Sequence, residues 1–168
     1  MILPLTEPRL ALIPVRDNGE VLVDVSTAAP LRTAGAARLR SGLVDRLVTA
    51  QTLLPRHARL LIVDGHRPCP HPDCAPDRCG TAPHPTGGAV DLTLVNPNGP
   101  AHSGTPLPAC CTGPVPPPHE DTRRVLSTAL GAAGLANHPA QWWHWSYGDR
   151  FWASATNAPH ARYGCSAL

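Results

Sequence analysis

The sequence predicts an α+β fold: a central antiparallel sheet with two main helices, joined by long proline-rich loops. Three observations predict it. Short β-branched and leucine runs such as "RLLIVD" and "AVDLTLV" are bounded by glycine and proline. One long stretch, residues 36–54, carries apolar residues at helical spacing. The 21 prolines concentrate between Pro68 and Pro118 and leave room there for loops rather than further elements.

Taken in order, the elements are these. Leu10 to Val15 and Glu20 to Val25 flank Asp17-Asn18-Gly19, a hairpin signal. Residues 36–54 read as a helix with the stripe Leu39, Leu43, Leu47, Ala50 and Leu54, stopped by Pro55. A strand follows, ending at Asp64-Gly65. Ala89 to Val95 is a second strand. Asp121 starts a helix that runs to about Ala133, with Gly134 as its C-terminal glycine. Trp142 to Trp145 and Arg150 to Ala153 read as a final hairpin around Tyr147-Gly148-Asp149.

A chain of 168 residues with 42% hydrophobic content suits one domain, 1–168, with one core. A net charge of +2 without a basic cluster argues against a nucleic-acid partner. No apolar run approaches the roughly 18 residues of a membrane span. The N-terminus, interrupted by Pro4, Glu7 and Pro8, does not read as a secretory leader, so a cytoplasmic protein is expected. In that compartment the six cysteines read as thiols or metal ligands. "CPHPDCAPDRC" offers a second, structural zinc site through Cys69, His71, Cys74 and Cys79, although its spacing matches no standard motif; the alternative is a loop with thiols or one disulfide.

"HPTGGAVDLTL" carries the chemistry. His84 precedes two glycines and a strand bearing Asp91, and His144 lies on a later strand. Two imidazoles and one carboxylate make a three-ligand set for zinc with one coordination position open. Gly87 and Gly88 allow the chain to fold His84 back toward Asp91. The alternative for Asp91 is the solvated face of its strand.

Three motifs in order give a resemblance. "HPTGGAVD", "VDGHRP" (Val63 to Pro68) and "QWWH" (Gln141 to His144), with the following "WSYGDRFWA", resemble the signatures of the zinc D-alanyl-D-alanine dipeptidases and their carboxypeptidase and Hedgehog-like relatives. The resemblance covers Asp64 to Ala153, about half the chain. It implies a single zinc site on His84, Asp91 and His144, a small-molecule or dipeptide substrate, and Arg67 as the group that steadies an oxyanion.

The family's general base is the glutamate of Glu-x-x-His; here that position is Gln141, which has no titratable group near neutral pH. Three explanations fit: an engineered Glu-to-Gln replacement in a hydrolase, natural chemistry without a carboxylate base, or a zinc-stabilised binding protein. In a straight strand, positions three apart face opposite ways. Gln141 and His144 therefore meet at one site only if Gln141 lies in a turn or the strand bulges. Ala82 stands where the dipeptidases have serine, and the segment after Asp91 lacks their substrate-binding acid until Glu120, so specificity for D-Ala-D-Ala is not implied. His66, in place of the family's tyrosine, is a candidate replacement acid or base. Trp143 and Trp145 are candidates for a wall that excludes water from the zinc site and lines the substrate; core packing is the alternative. The remaining histidines, His138 among them, read mostly as surface loop residues.

Overall fold

The computed structural model describes residues 7–69, 80–95 and 120–166. In chain order these form β1 (Leu22–Asp24), β2 (Arg32–Thr33), β3 (Arg38–Arg40), α1 (Ser41–Leu53), β4 (Arg59–Asp64), β5 (Ala89–Val95), α2 (Glu120–Ala132), β6 (Ala136–His138), β7 (Gln141–Ser146) and α3 (Arg150–Thr156). The class is α+β. A five-stranded sheet has the order β2-β4-β5-β7-β6, and β1 and β3 form a separate ribbon. The expected antiparallel sheet is antiparallel from β4 to β6, but its edge strand β2 runs parallel to β4.

The leucine stripe of α1 is buried as its spacing requires: Leu43, Leu47 and Ala50 are inaccessible to solvent. They pack with Leu60, Ile62, Val90 and Leu92 of the sheet and Leu126 and Leu130 of α2. Here the helix starts later than its spacing suggests. Residues 38–40 are the strand β3, whose Leu39 joins the same core from the β1–β3 ribbon. Leu10, Ala136 and Phe151 form a smaller cluster where α3 meets β6 and the N-terminal 3-10 turn.

Two expected hairpins do not form. Asp17-Asn18-Gly19 is a turn, held by Gly19 N–H on Asp17 Oδ1 (2.8 Å) and Glu20 N–H on Asn18 Oδ1 (3.2 Å). Its flanks find other partners: Pro8–Leu12 is a 3-10 turn capped by Glu7, Val15 bridges to Ala161, and β1 pairs with β3. At the other end, Arg150–Thr156 is helix. Asp149 accepts the Trp152 N–H (2.7 Å) and caps it, an N-cap signal that outweighs the aromatic run. No helix among the described residues is long and apolar enough to cross a membrane.

Cys69 is disulfide-bonded. A sulfur committed to a disulfide has no thiolate to offer zinc, so Cys69 does not serve the expected second metal site. His71, Cys74 and Cys79 lie outside the described residues.

Candidate metal centre

Two irregularities of the sheet and one tight turn bring the polar side chains together. Asp91 and His144 are directly opposed in the β5–β7 ladder and so share a face. Val90 and Trp145, the next pair, point the other way into the main core. On the other side of β5 the register slips between Ile62 and Asp64, so that Asp64, not Val63, stands opposite Asp91. Without that bulge Asp64 would share the core face of Leu60 and Ile62; the extra residue turns it to the Asp91 face. The turn is His84–Thr86. Gly87 closes it at φ +69°, its N–H bonded to His84 O (3.0 Å). A side chain there would be strained and would strike Leu22. Gly88 packs against the Tyr147 carbonyl, leaving no space for a Cβ.

The result is a buried triad. Asp91 Oδ1 lies 3.0 Å from His144 Nδ1 and 3.5 Å from His84 Nε2. The imidazole rings are 5.1 Å apart and nearly perpendicular. One ligand atom from each of the three residues lies within 4.8 Å of the others. Zinc bonds of about 2.0–2.1 Å in a tetrahedron place ligand atoms about 3.3 Å apart, and the two measured edges bracket that spacing. The tautomers fit as well. Nδ1 of His84 donates to the Gly65 carbonyl (2.7 Å), which turns the buried Nε2 toward Asp91, 3.5 Å from its Oδ1. A histidine oriented by a carbonyl on one nitrogen, with the other free to face a metal once its proton is lost, is how metal ligands are held. The three residues can therefore hold a metal ion.

Electrostatics couple the three side chains. Burial alone would raise the Asp91 carboxyl, but the His84 charge and hydrogen bonds from His144 and His84 hold it far below the usual carboxylate range. Burial alone would lower His84; the Asp91 charge overrides it and raises the pKa. Both faces of β5 are covered, so the solvated-face alternative for Asp91 does not hold.

Arg67 stands at the rim. Its Nε is 2.7 Å from Asp64 Oδ2, its Nη2 is 3.7 Å from Asp91 Oδ2, and its backbone N–H reaches His84 O (3.4 Å). Gln141 is half-buried at the start of β7. The β6–β7 ladder steps from Asn137–Trp145 to His138–Gln141, so β7 bulges between Gln141 and Trp145, one of the two arrangements that can let Gln141 and His144 face one site. Asn137 holds the bulge: its amide donates to the carbonyls of Gln141 (3.3 Å), Trp142 (3.3 Å) and His144 (2.9 Å). Nothing in the sequence singled out Asn137.

Four other residues have these surroundings. Trp143 and Trp145 belong to the main core, and Trp145 lies on the face opposite His144; these tryptophans pack with the core leucines. His66 turns to the C-terminal segment, its Nε2 3.0 Å from Ser166 O, and burial lowers its pKa. His138 is buried on β6, not in a surface loop, with its ring 6.3 Å from that of His144 and 5.4 Å from Phe151.

A buried arginine braces the ligand turn. Arg40 Nε donates to Thr86 O (2.9 Å), Nη1 to Glu20 O (2.5 Å), and Nη2 to Asp17 Oδ2 (2.9 Å) and Gly164 O (3.1 Å), while its backbone N–H reaches Gly87 O (2.9 Å). One guanidinium thus ties the His84 turn to the N- and C-terminal segments.

No family model matches the chain. Over 96 residues it is 32% identical to a D-alanyl-D-alanine dipeptidase of Synechocystis sp.. The match takes in 46% of this chain and 39% of that relative, so the chain spans well under half of the relative's length. The chain is thus similar, over part of its length, to a dipeptidase, and it carries a buried His-Asp-His group able to hold a metal.

Proposed function

We propose that the chain is a zinc-dependent, D-alanyl-D-alanine dipeptidase-like metallopeptidase acting on a small dipeptide or amino-acid-derived substrate, with hydrolysis slowed or redirected by Gln141. The observation that carries the reading is the convergence of His84, Asp91 and His144 at ligand spacing. The partial identity to a dipeptidase supports it.

Each side chain has a part. His84 and His144 present one ring nitrogen each, and Asp91 one carboxylate oxygen. A divalent cation held there supplies Lewis acidity that polarises a substrate carbonyl. Arg67, fixed by Asp64 and beside Asp91, offers guanidinium donors to the carbonyl oxygen as negative charge develops on it. Gln141 can hydrogen-bond that carbonyl or a water, but it accepts no proton. Absence of a general base typically slows such a reaction by about two to four orders of magnitude. His66, engaged with the C-terminal segment, has no part in this scheme.

Gln141 favours a second reading: a non-hydrolytic zinc enzyme (cyclisation, transfer or rearrangement) or a zinc-binding module. The deciding experiment is Gln141→Glu, assayed with zinc against a panel of small dipeptides. The hydrolase reading predicts a gain of about 100-fold or more over the parent chain. Zinc bound in both proteins with hydrolysis by neither transfers the weight to the second reading.

A further inference from the structure

Ser146 and Asp149 are two buried polar residues behind the metal group that the chemistry above does not use. Ser146 is 0% and Asp149 1% exposed. A buried carboxylate is costly unless something compensates it. Half of Asp149 has a structural reason, because Oδ1 caps α3 through Trp152 N–H (2.7 Å). Asparagine or serine would cap as well without placing a charge in the interior. Asp149 Oδ2 is buried without a hydrogen-bond partner among the described residues. Burial raises the Asp149 pKa, and the groups that oppose that rise include the Ser146 hydroxyl and the charges on His144 and His84.

Geometry joins Ser146 to His144. Ser146 lies two positions beyond His144 on β7 and so on the same face. Its Oγ is 3.4 Å from His144 Nε2, the nitrogen opposite the one that meets Asp91. A histidine that binds a metal through one nitrogen carries its proton on the other, and that N–H nearly always has an acceptor. His84 has the Gly65 carbonyl. His144 has Ser146, and a hydroxyl can accept and donate at once.

We infer that Asp149, acting through the Ser146 hydroxyl, is the positioning residue for His144. Nε2–H of His144 donates to Ser146 Oγ, and in the zinc-loaded chain the Ser146 hydroxyl turns its proton to the otherwise unpartnered Asp149 Oδ2. This fixes the tautomer in which Nδ1 is free to bind metal, and it fixes the ring plane. Neither Ser146 nor Asp149 touches the metal or the substrate. The inference rests on the metal reading proposed above.

The test uses the zinc-loaded chain with Ser146→Ala, Asp149→Asn and the double variant. Zinc affinity is read by competition with a chelating dye, and the His144 tautomer by nitrogen-15 NMR. Each single variant is expected to bind zinc about 10–100-fold more weakly. The double is expected to be no weaker than the worse single, because the two residues act in series. The wild-type spectrum is expected to show metal on Nδ1 and the proton on Nε2. Asparagine keeps the cap, and Ser146→Ala leaves it untouched, so a folding defect in one variant leaves the other decisive. Wild-type affinity in both singles, or losses that multiply in the double, overturns the relay while leaving the metal site standing. A wild-type chain that binds no zinc overturns the metal reading and the relay with it.

Discussion

Asp91 and His144 face each other across the β5–β7 ladder, with carboxylate Oδ1 3.0 Å from imidazole Nδ1 and both side chains almost wholly buried. In the metal-free chain this contact, with His84 beside it, is a buried carboxylate–imidazole cluster. Removing the shared carboxylate takes from His84 the charge that raises its pKa and from His144 its hydrogen-bond partner. Asp91→Asn is therefore expected to destabilise the metal-free protein by about 3–5 kcal/mol, read by urea denaturation at pH 7. A change below about 1 kcal/mol, the range of exposed pairs, would contradict the cluster.

Arg40 ties the His84 turn to both terminal segments through its guanidinium. Lysine cannot reproduce the fork, since a point charge does not reach Thr86 O, Glu20 O and Gly164 O together. Arg40→Lys is expected to cost at least about 2 kcal/mol in stability and to weaken metal binding along with it. Unchanged metal affinity in a destabilised variant would confine Arg40 to the fold and remove its bracing of the ligand turn.

Gly87 combines a left-handed φ of +69° with a side-chain wall: an added Cβ would lie 2.3 Å from Leu22 Cδ2. Gly87→Ala is expected to lose more than about 1 kcal/mol. Leu22→Ala in that background should recover only the steric part, because the backbone strain persists. Full recovery of the thermal midpoint in the double variant would show that the left-handed conformation is not a constraint.

His138 supplies the pH signature. Burial, then the neighbouring His144 charge, pushes its pKa down to about 4 from 6.5. As pH falls, the unfolded chain takes up that proton first. The stability it contributes is complete above 6.5 and is lost as pH falls toward about 4. His84, whose pKa is raised, opposes this slope weakly near pH 6, where the unfolded imidazole is not yet fully protonated, and adds almost none by pH 5. Metal-free protein should lose stability between pH 6 and 5 with a slope up to about 1.4 kcal/mol per pH unit, and His138→Gln should flatten it. Equal slopes in urea titrations of the two proteins count against a buried, neutral His138.

Much of this site is legible along the chain because it depends on local pattern. The apolar run around Asp91 and the Gly87-Gly88 pair mark the strand and the turn, and burial of both strand faces makes Asp91 conspicuous. Leu43, Leu47 and Ala50 mark α1 by period. What the sequence hides is set by pairing at a distance. Leu39 lies in phase with the α1 stripe yet comes from a strand, because β1 claims residues 38–40. Residues 10–15 look like half a hairpin, but Val15 pairs with Ala161 at the far end of the chain. The slips at Val63 and beyond Asn137 decide which face Asp64 and Gln141 present, and a register slip leaves no compositional trace. The α3 helix was within reach: Asp149 before "RFWASAT" is an N-cap signal that the aromatic residues obscure.

Direct zinc stoichiometry tests the central claim. Purified chain is equilibrated with zinc, freed of excess metal and assayed by elemental analysis, beside His84→Ala and His144→Ala. Close to one zinc per chain is expected in the parent and almost none in either variant, with circular dichroism showing all three folded. A folded parent without zinc, or variants that keep the parent's stoichiometry, would contradict it.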